Sequence, residues 1–217
     1  MKRRWLRPVL VAASILAYAL LQHYANTTPG TAAFGAALAI TPLLLTWLLL
    51  ASRSAFPHLT LLLAAILAAF VLVGFWAQLE RNFPLLFMLQ EAGIYLILAF
   101  GFGRSLMTGH TALCTQWAQM IHGELSEPVR RYTRTVTLAW TLFFVAISLT
   151  SAGLFFLAPV RLWSLFSNFL TLPLAAAMFA IEYEVRRRRL PWMQRASLAD
   201  TARAYFSTMR GGPATRF

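Results

Sequence analysis

The chain is poor in charge and poorer still in acid. Of 217 residues only seven are Asp or Glu, the sole lysine is Lys2, and there is one cysteine, Cys114. A charged fraction of 12% beside 59% hydrophobic residues excludes an ordinary soluble domain, where about a quarter of residues are charged. It equally excludes a disordered chain, which needs low hydrophobicity. A single cysteine leaves no intramolecular disulfide. Also missing are a Walker loop, a dinucleotide fingerprint and a G-x-S-x-G elbow, so no nucleotide or other cofactor is indicated.

What is present is apolar length. Six runs, Pro8–Tyr24, Ala32–Ala51, Leu59–Leu79, Leu85–Gly103, Val136–Ala158 and Leu162–Tyr183, are separated by short polar breaks. Each holds roughly 17–23 residues, enough at 1.5 Å per residue to cross a hydrocarbon core of about 30 Å. A backbone inside lipid must satisfy its own hydrogen bonds, so the runs are read as helices. They lack the residue-by-residue alternation of a membrane barrel. The expected fold class is therefore all-α, an integral membrane bundle of six transmembrane helices over residues 1–183. A basic cytoplasmic tail follows over residues 184–217.

The remaining charge sorts by side. With the N-terminus in the cytoplasm, the inner segments are residues 1–7, 52–58, 104–135 and 184–217. They hold 17 of the 19 Lys and Arg, leaving only Arg81 and Arg161 outside. Basic residues are retained on the cytoplasmic side, so the split supports six spans with both termini inside. The first run has the outline of a secretory signal peptide with Ala17-Tyr18-Ala19 as a cleavage site. The apolar stretch runs past that tripeptide to an interfacial belt of Gln22, His23 and Tyr24, so an uncleaved anchor is expected.

Two inner segments have amphipathic spacing. Leu113, Trp117, Met120 and Ile121 share one face of a helix over residues 111–122, with Thr115, Gln116 and Gln119 opposite. This helix is expected to lie in the cytoplasmic interface, its apolar face toward lipid or the bundle. Gly123 ends it, and Ser126 with Pro128 begins a helix that runs on through the fifth span. In the tail, Ser197 and Asp200 form a capping box ahead of Leu198, Ala202, Tyr205, Phe206 and Met209.

Three sets of residues are candidates for function. The first is an intramembrane polar layer. Glu91 is the only acid well inside an apolar run, about six residues and so roughly 9 Å from its outer end. Thr150, Ser151 and Asn168 reach a similar depth from neighbouring spans, Gln90 adjoins, and Tyr95 lies one turn away. Such residues either tie spans together by hydrogen bonds or form a pocket for a head group or proton. Pro42 and Pro173 mark candidate breaks, though no inverted repeat accompanies them.

The second set is basic: Arg104, Arg130, Arg131, Arg134 and Arg186, Arg187, Arg188 and Arg189. Orientation and anchoring on anionic lipid head groups account for such arginines. A docking surface for an acidic carrier protein, an enzyme partner or a phosphorylated head group is the functional alternative. Nucleic acid is not expected, because no stacking platform interleaves with the charge.

The third set is catalytic. His122 with Glu127 has a His-x4-acid spacing, loosely like the pair of glycerolipid acyltransferases, and Glu124 is a second candidate acid. In such a pair the acid orients a histidine base. His110 and Cys114 are four residues apart, but two ligands do not make a zinc site, so no metal is expected. Cys114 as nucleophile would need a base and a lowered pKa.

From the fourth span onward, Gly103-Arg104-Ser105-Leu106, Leu113-Cys114-Thr115, His122-Gly123-Glu124-Leu125 and Tyr132-Thr133-Arg134 occur in order. Ala139-Trp140, Phe143-Phe144, Trp163-Ser164, Asn168, Pro173-Leu174, Met178-Phe179 and Glu182-Tyr183 follow. Over about residues 100–190 this resembles a family of bacterial polytopic inner-membrane proteins encoded in clusters for aryl-polyene pigments and related fatty-acid-like lipids. Some members are loosely labelled ketosynthase. That chemistry needs a Cys nucleophile with two His, or His and Asn, in a large soluble fold, and one Cys in a membrane bundle does not supply it. The resemblance implies a place beside enzymes that extend acyl chains on an acidic acyl carrier protein. The expectation is a non-catalytic accessory or scaffold protein, with an acyl or lipid transferase and a lipid flippase or exporter as alternatives.

Overall fold

The computed structural model describes residues 3–54 and 56–190, and over these the chain is helical with no strand. Its helices are α1 (Arg3–Thr27), α2 (Ala32–Ser52), α3 (Pro57–Ser105), α4 (Leu113–His122) and α5 (Glu127–Leu157). Then come α6 (Val160–Leu165), a π-helical turn (Phe166–Leu170) and α7 (Thr171–Arg189). The expected tail helix around Ser197–Met209 lies outside the described residues.

Five helical stretches are long and apolar enough to cross a membrane: Val9–Thr27, Ala32–Ser52, Leu72–Ser105, Glu127–Leu157 and Val160–Arg189. Their number is one below the six runs because the third and fourth runs lie in the single 49-residue α3. A straight helix of that length would measure about 74 Å, more than twice a hydrocarbon core. It is interrupted at Asn82, whose backbone is non-helical (φ −119°, ψ 17°). The cause is local. Pro84 has no N–H and leaves the Glu80 carbonyl without its helical donor, while the Asn82 side chain donates to the Gln78 carbonyl at 2.9 Å.

The described residues form two compact units, one within residues 1–95 and 146–174 and one within residues 96–145 and 175–217. In the first, α1 and α2 are joined by a tight turn in which Gly30 takes φ 81°. The Thr31 hydroxyl lies 2.9 Å from the Ala25 carbonyl and 2.6 Å from that of Thr28. The core beyond the turn is made of small residues against large ones. Ala25, Ala36 and Ala39 pack with Phe83, Phe87, Met88 and Trp163. Gly35 is required there, since a Cβ would sit 2.5 Å from the Phe83 ring. Pro42 deprives the Leu38 carbonyl of its donor, and the Tyr18 hydroxyl approaches that carbonyl at 3.5 Å. Gln90 Nε2 donates to the adjacent Ala39 carbonyl at 2.8 Å.

The second unit is built on an aromatic cluster and a threonine ladder. Phe102, Trp117, Trp140, Phe143, Phe144 and Phe179 meet with ring centroids 4.6–5.8 Å apart. Thr115 and Thr133 share a hydrogen bond of 2.7 Å. The first amides of α4 have no cap of their own, since Ala112 precedes them. Leu113 N donates to Ser105 Oγ (3.0 Å) and Cys114 N to Thr137 Oγ1 (3.2 Å). Hydroxyls from α3 and α5 thus fill the capping role usually given to the helix's own preceding residue. Gly123, at φ 73°, closes the other end of α4 as expected.

In both units aromatic, small and hydroxyl residues fill the interior, and large aliphatic side chains are exposed. Among the described residues the largest fully buried side chains are Trp163, Thr137, Ser151 and Ser164, whereas Leu157 and Val73 are 89% and 85% exposed. Helices surrounded by lipid gain nothing by hiding leucine from it, so small and hydroxyl residues take the interior. This is a multi-pass membrane protein by its surface as well as by its helix lengths.

Candidate functional sites

The polar layer is a hydrogen-bonded cluster, with a changed membership. Glu91 Oε2 accepts from Ser151 Oγ at 2.9 Å and from Ser167 Oγ in a short hydrogen bond. Trp163 Nε1 donates to Ser151 Oγ at 3.0 Å, fixing that serine from its other side. Thr150, expected in the layer, is exposed instead. Asn168 does not reach Glu91 but donates to Ser164, at 2.9 Å to the carbonyl and 3.1 Å to Oγ. Ser164 Oγ in turn lies 2.9 Å from His23 Nδ1. Tyr95 bonds to Thr171, one turn beyond Ser167.

The π-helical turn organises this exchange. It spans Phe166–Leu170 and ends three residues before Pro173, whose missing N–H leaves the Phe169 carbonyl without an α-helical donor. The turn widens the helix, so that Ser167 meets Glu91 while Asn168 points back to Ser164. Ser167, Trp163, Ser164 and His23 were all missed by counting depth. The sequence signal that marks the first three is the Trp163-Ser164, Ser167-Asn168 spacing ahead of a proline. Among the described residues three buried side-chain polar atoms have no hydrogen-bond partner: Glu91 Oε1 and both amide atoms of Asn26. Groups of this kind are rare in a finished interior.

The catalytic candidates are not brought together. His122 is exposed at the end of α4, and it makes no hydrogen bond or ion pair with Glu124 or Glu127 among the described residues. Glu127 instead accepts from Arg131 Nε at 2.9 Å. His110 is exposed, with Nδ1 3.4 Å from the Thr108 carbonyl. Cys114 is half-buried, and that burial pushes its thiol above the ordinary range, a direction opposed by Thr137 and reinforced by Glu182. A raised thiol is a weaker nucleophile at neutral pH.

On α4 the sequence reading left the apolar face open toward lipid or the bundle. Thr115, on the opposite face, is buried against Thr133, while Met120 and Trp117 are 77% and 50% exposed. The polar stripe faces protein because that is where hydroxyl partners are.

All eight candidate arginines belong to the second unit. Half are answered by an acid three or four residues away on the same helix. Arg131 pairs with Glu127, Arg186 with Glu182 (3.6 Å), and Arg187 and Arg188 both with Glu184 (3.0 and 2.7 Å). Arg104, Arg130, Arg134 and Arg189 have no such pair among the described residues. Arg134 is instead held by the Leu106 carbonyl at 2.6 Å. Tyr132 reaches the Glu182 backbone and carboxylate oxygens at 3.1 and 3.2 Å. A groove of about 510 Å³ is lined by Arg131, Tyr132, Thr135, Arg189 and Leu190, and a cleft of about 220 Å³ by Arg130, Arg131, Arg134 and His110.

No protein-family model, curated protein or solved structure matches the chain.

Proposed function

We propose that this is an accessory protein of a bacterial inner membrane which docks an acidic partner on its arginine-rich face. The partner class suggested by the family resemblance is an acyl carrier protein, or an enzyme working with it, of an aryl-polyene or fatty-acid-like lipid pathway. The observation that carries the reading is the surplus of arginine over acid in the second unit. Four arginines there lack a counter-ion among the described residues, and three of them, Arg130, Arg134 and Arg189, line grooves large enough to receive a side chain or head group. Surface charge of one sign steers an oppositely charged partner and speeds its encounter. Capture of a purified pathway carrier protein by the full chain at low salt tests this. The expected capture weakens as salt rises; no capture at low salt refutes docking.

The topology that goes with this reading has six spans. Asn82 and Pro84 separate two halves of α3, each long enough to cross, with Arg81 at an outer turn, both termini in the cytoplasm and α4 in the inner interface. Arg81→Cys in intact cells should then react with a membrane-impermeant maleimide from the outside, while the native Cys114 does not. Labelling of Cys114 alone would overturn the arrangement.

A lipid flippase or exporter is the second reading, and the unpartnered Glu91 Oε1 favours it, since it leaves an acceptor for a passing head group. Under it, Glu91→Gln traps finished product in the inner membrane; under docking alone, product distribution is unchanged. The transferase alternative has the least support, because His122 has no acid partner among the described residues.

A further inference from the structure

We infer that the cleft beside the start of α5 is a binding site for a phosphomonoester, and that its occupant is the head group of a membrane lipid. The cleft, about 220 Å³, is lined by His110, Thr111, Glu127, Arg130, Arg131 and Arg134. Its charge is not diffuse. Glu127 is bonded to Arg131 at 2.9 Å, so these two cancel and leave Arg130 and Arg134. Those two stand four residues apart on one face of α5. Arg134 is anchored by its bond to the Leu106 carbonyl, which holds one edge of the guanidinium and leaves further N–H groups to bind. The Arg130 side chain makes no hydrogen bond or ion pair among the described residues. The first two amides of α4 are already taken by Ser105 and Thr137, so the arginines rather than a helix end supply the attraction.

Two fixed positive charges match a phosphomonoester dianion better than a singly charged diester. Arginine also binds phosphate oxygens through two parallel hydrogen bonds. A lipid source is favoured because exposed apolar residues of the same segment, Met107, Trp117 and Met120, place the cleft at an apolar boundary. The inference rests on the docking reading only in setting this face at the membrane surface.

The test uses the full chain in neutral detergent, with dioleoyl phosphatidic acid, dioleoyl phosphatidylglycerol and soluble glycerol 3-phosphate as probes. Phosphatidic acid should bind about tenfold or more tighter than phosphatidylglycerol. The double substitution Arg130→Gln and Arg134→Gln should erase that preference, by about tenfold for two charge-assisted contacts. Arg187→Gln with Arg188→Gln, equal in charge lost, should leave it intact. Because Arg134 also holds Leu106, Arg130→Gln alone serves where the double variant fails to fold, and a several-fold loss is expected. Equal losses from the two double variants, or no preference for phosphatidic acid, overturn the site. Full displacement by equimolar glycerol 3-phosphate overturns the lipid source. Carrier capture is measured on the same variants. Capture retained without lipid preference removes the cleft alone, and lipid preference without capture removes docking alone.

Discussion

The surroundings of Glu91 and those of Arg130 and Arg134 treat charge in opposite ways. In the first unit one carboxylate is taken from water and surrounded by Ser151, Ser167 and, one step back, Trp163. In the second unit, arginines outnumber acids and most remain exposed, while the interior hydroxyls of Thr115, Thr133 and Thr137 are spent on one another and on capping α4. A buried polar group is costly without partners, so the first arrangement concerns stability as much as function. An exposed charge costs little and contributes little to stability, which frees the second for binding.

If this contrast is right, substitutions in the first unit should act on stability and those on the arginine face should not. Trp163→Ala should be the most damaging. It removes a fully buried indole and the donor that fixes Ser151, and a loss of about 3 kcal/mol in detergent unfolding is expected. Gly35→Ala should follow at about 2 kcal/mol, because the new methyl meets a buried Phe83 ring. Phe83→Leu in the same chain should recover part of it, and strict additivity would show that the two do not touch.

Glu91→Leu should cost about 1–3 kcal/mol by leaving two serine hydroxyls without an acceptor, whereas Glu91→Gln keeps an acceptor and should cost less. Equal effects of the two would mean that the carboxylate is not what the serines require. In the second unit, Thr137→Val should cost about 1 kcal/mol and speed amide exchange at Cys114, whose N–H it frees. Arg131→Gln, an exposed partner of Glu127, should change stability by less than about 0.5 kcal/mol while weakening carrier capture. A large loss of stability there would break the contrast.

Much of the architecture could be read from residue order. The end of α4 at Gly123 and the start of α5 near Ser126-Pro128 follow from local chemistry, whereas the last helix runs past the expected end at Tyr183 to Arg189. The depth of Glu91 was legible too, since rise per residue is constant along a helix. Direction around the helix axis was not legible to the same degree. Thr150 and Ser151 lie at one depth, yet only Ser151 faces Glu91. Asn168 gave way to Ser167 because the π-helical turn changes the angular step just before both.

The sequence by itself determined that the chain is helical, apolar enough for a membrane and basic along particular segments, because hydrophobicity and backbone propensity act locally. Tertiary structure alone decided which hydroxyls meet the carboxylate and which face of α4 is buried. It also decided which arginines go unanswered, separating Arg130 and Arg134 from their paired neighbours. Those outcomes depend on side chains far apart in the chain meeting at hydrogen-bond distance, and no local preference specifies that meeting.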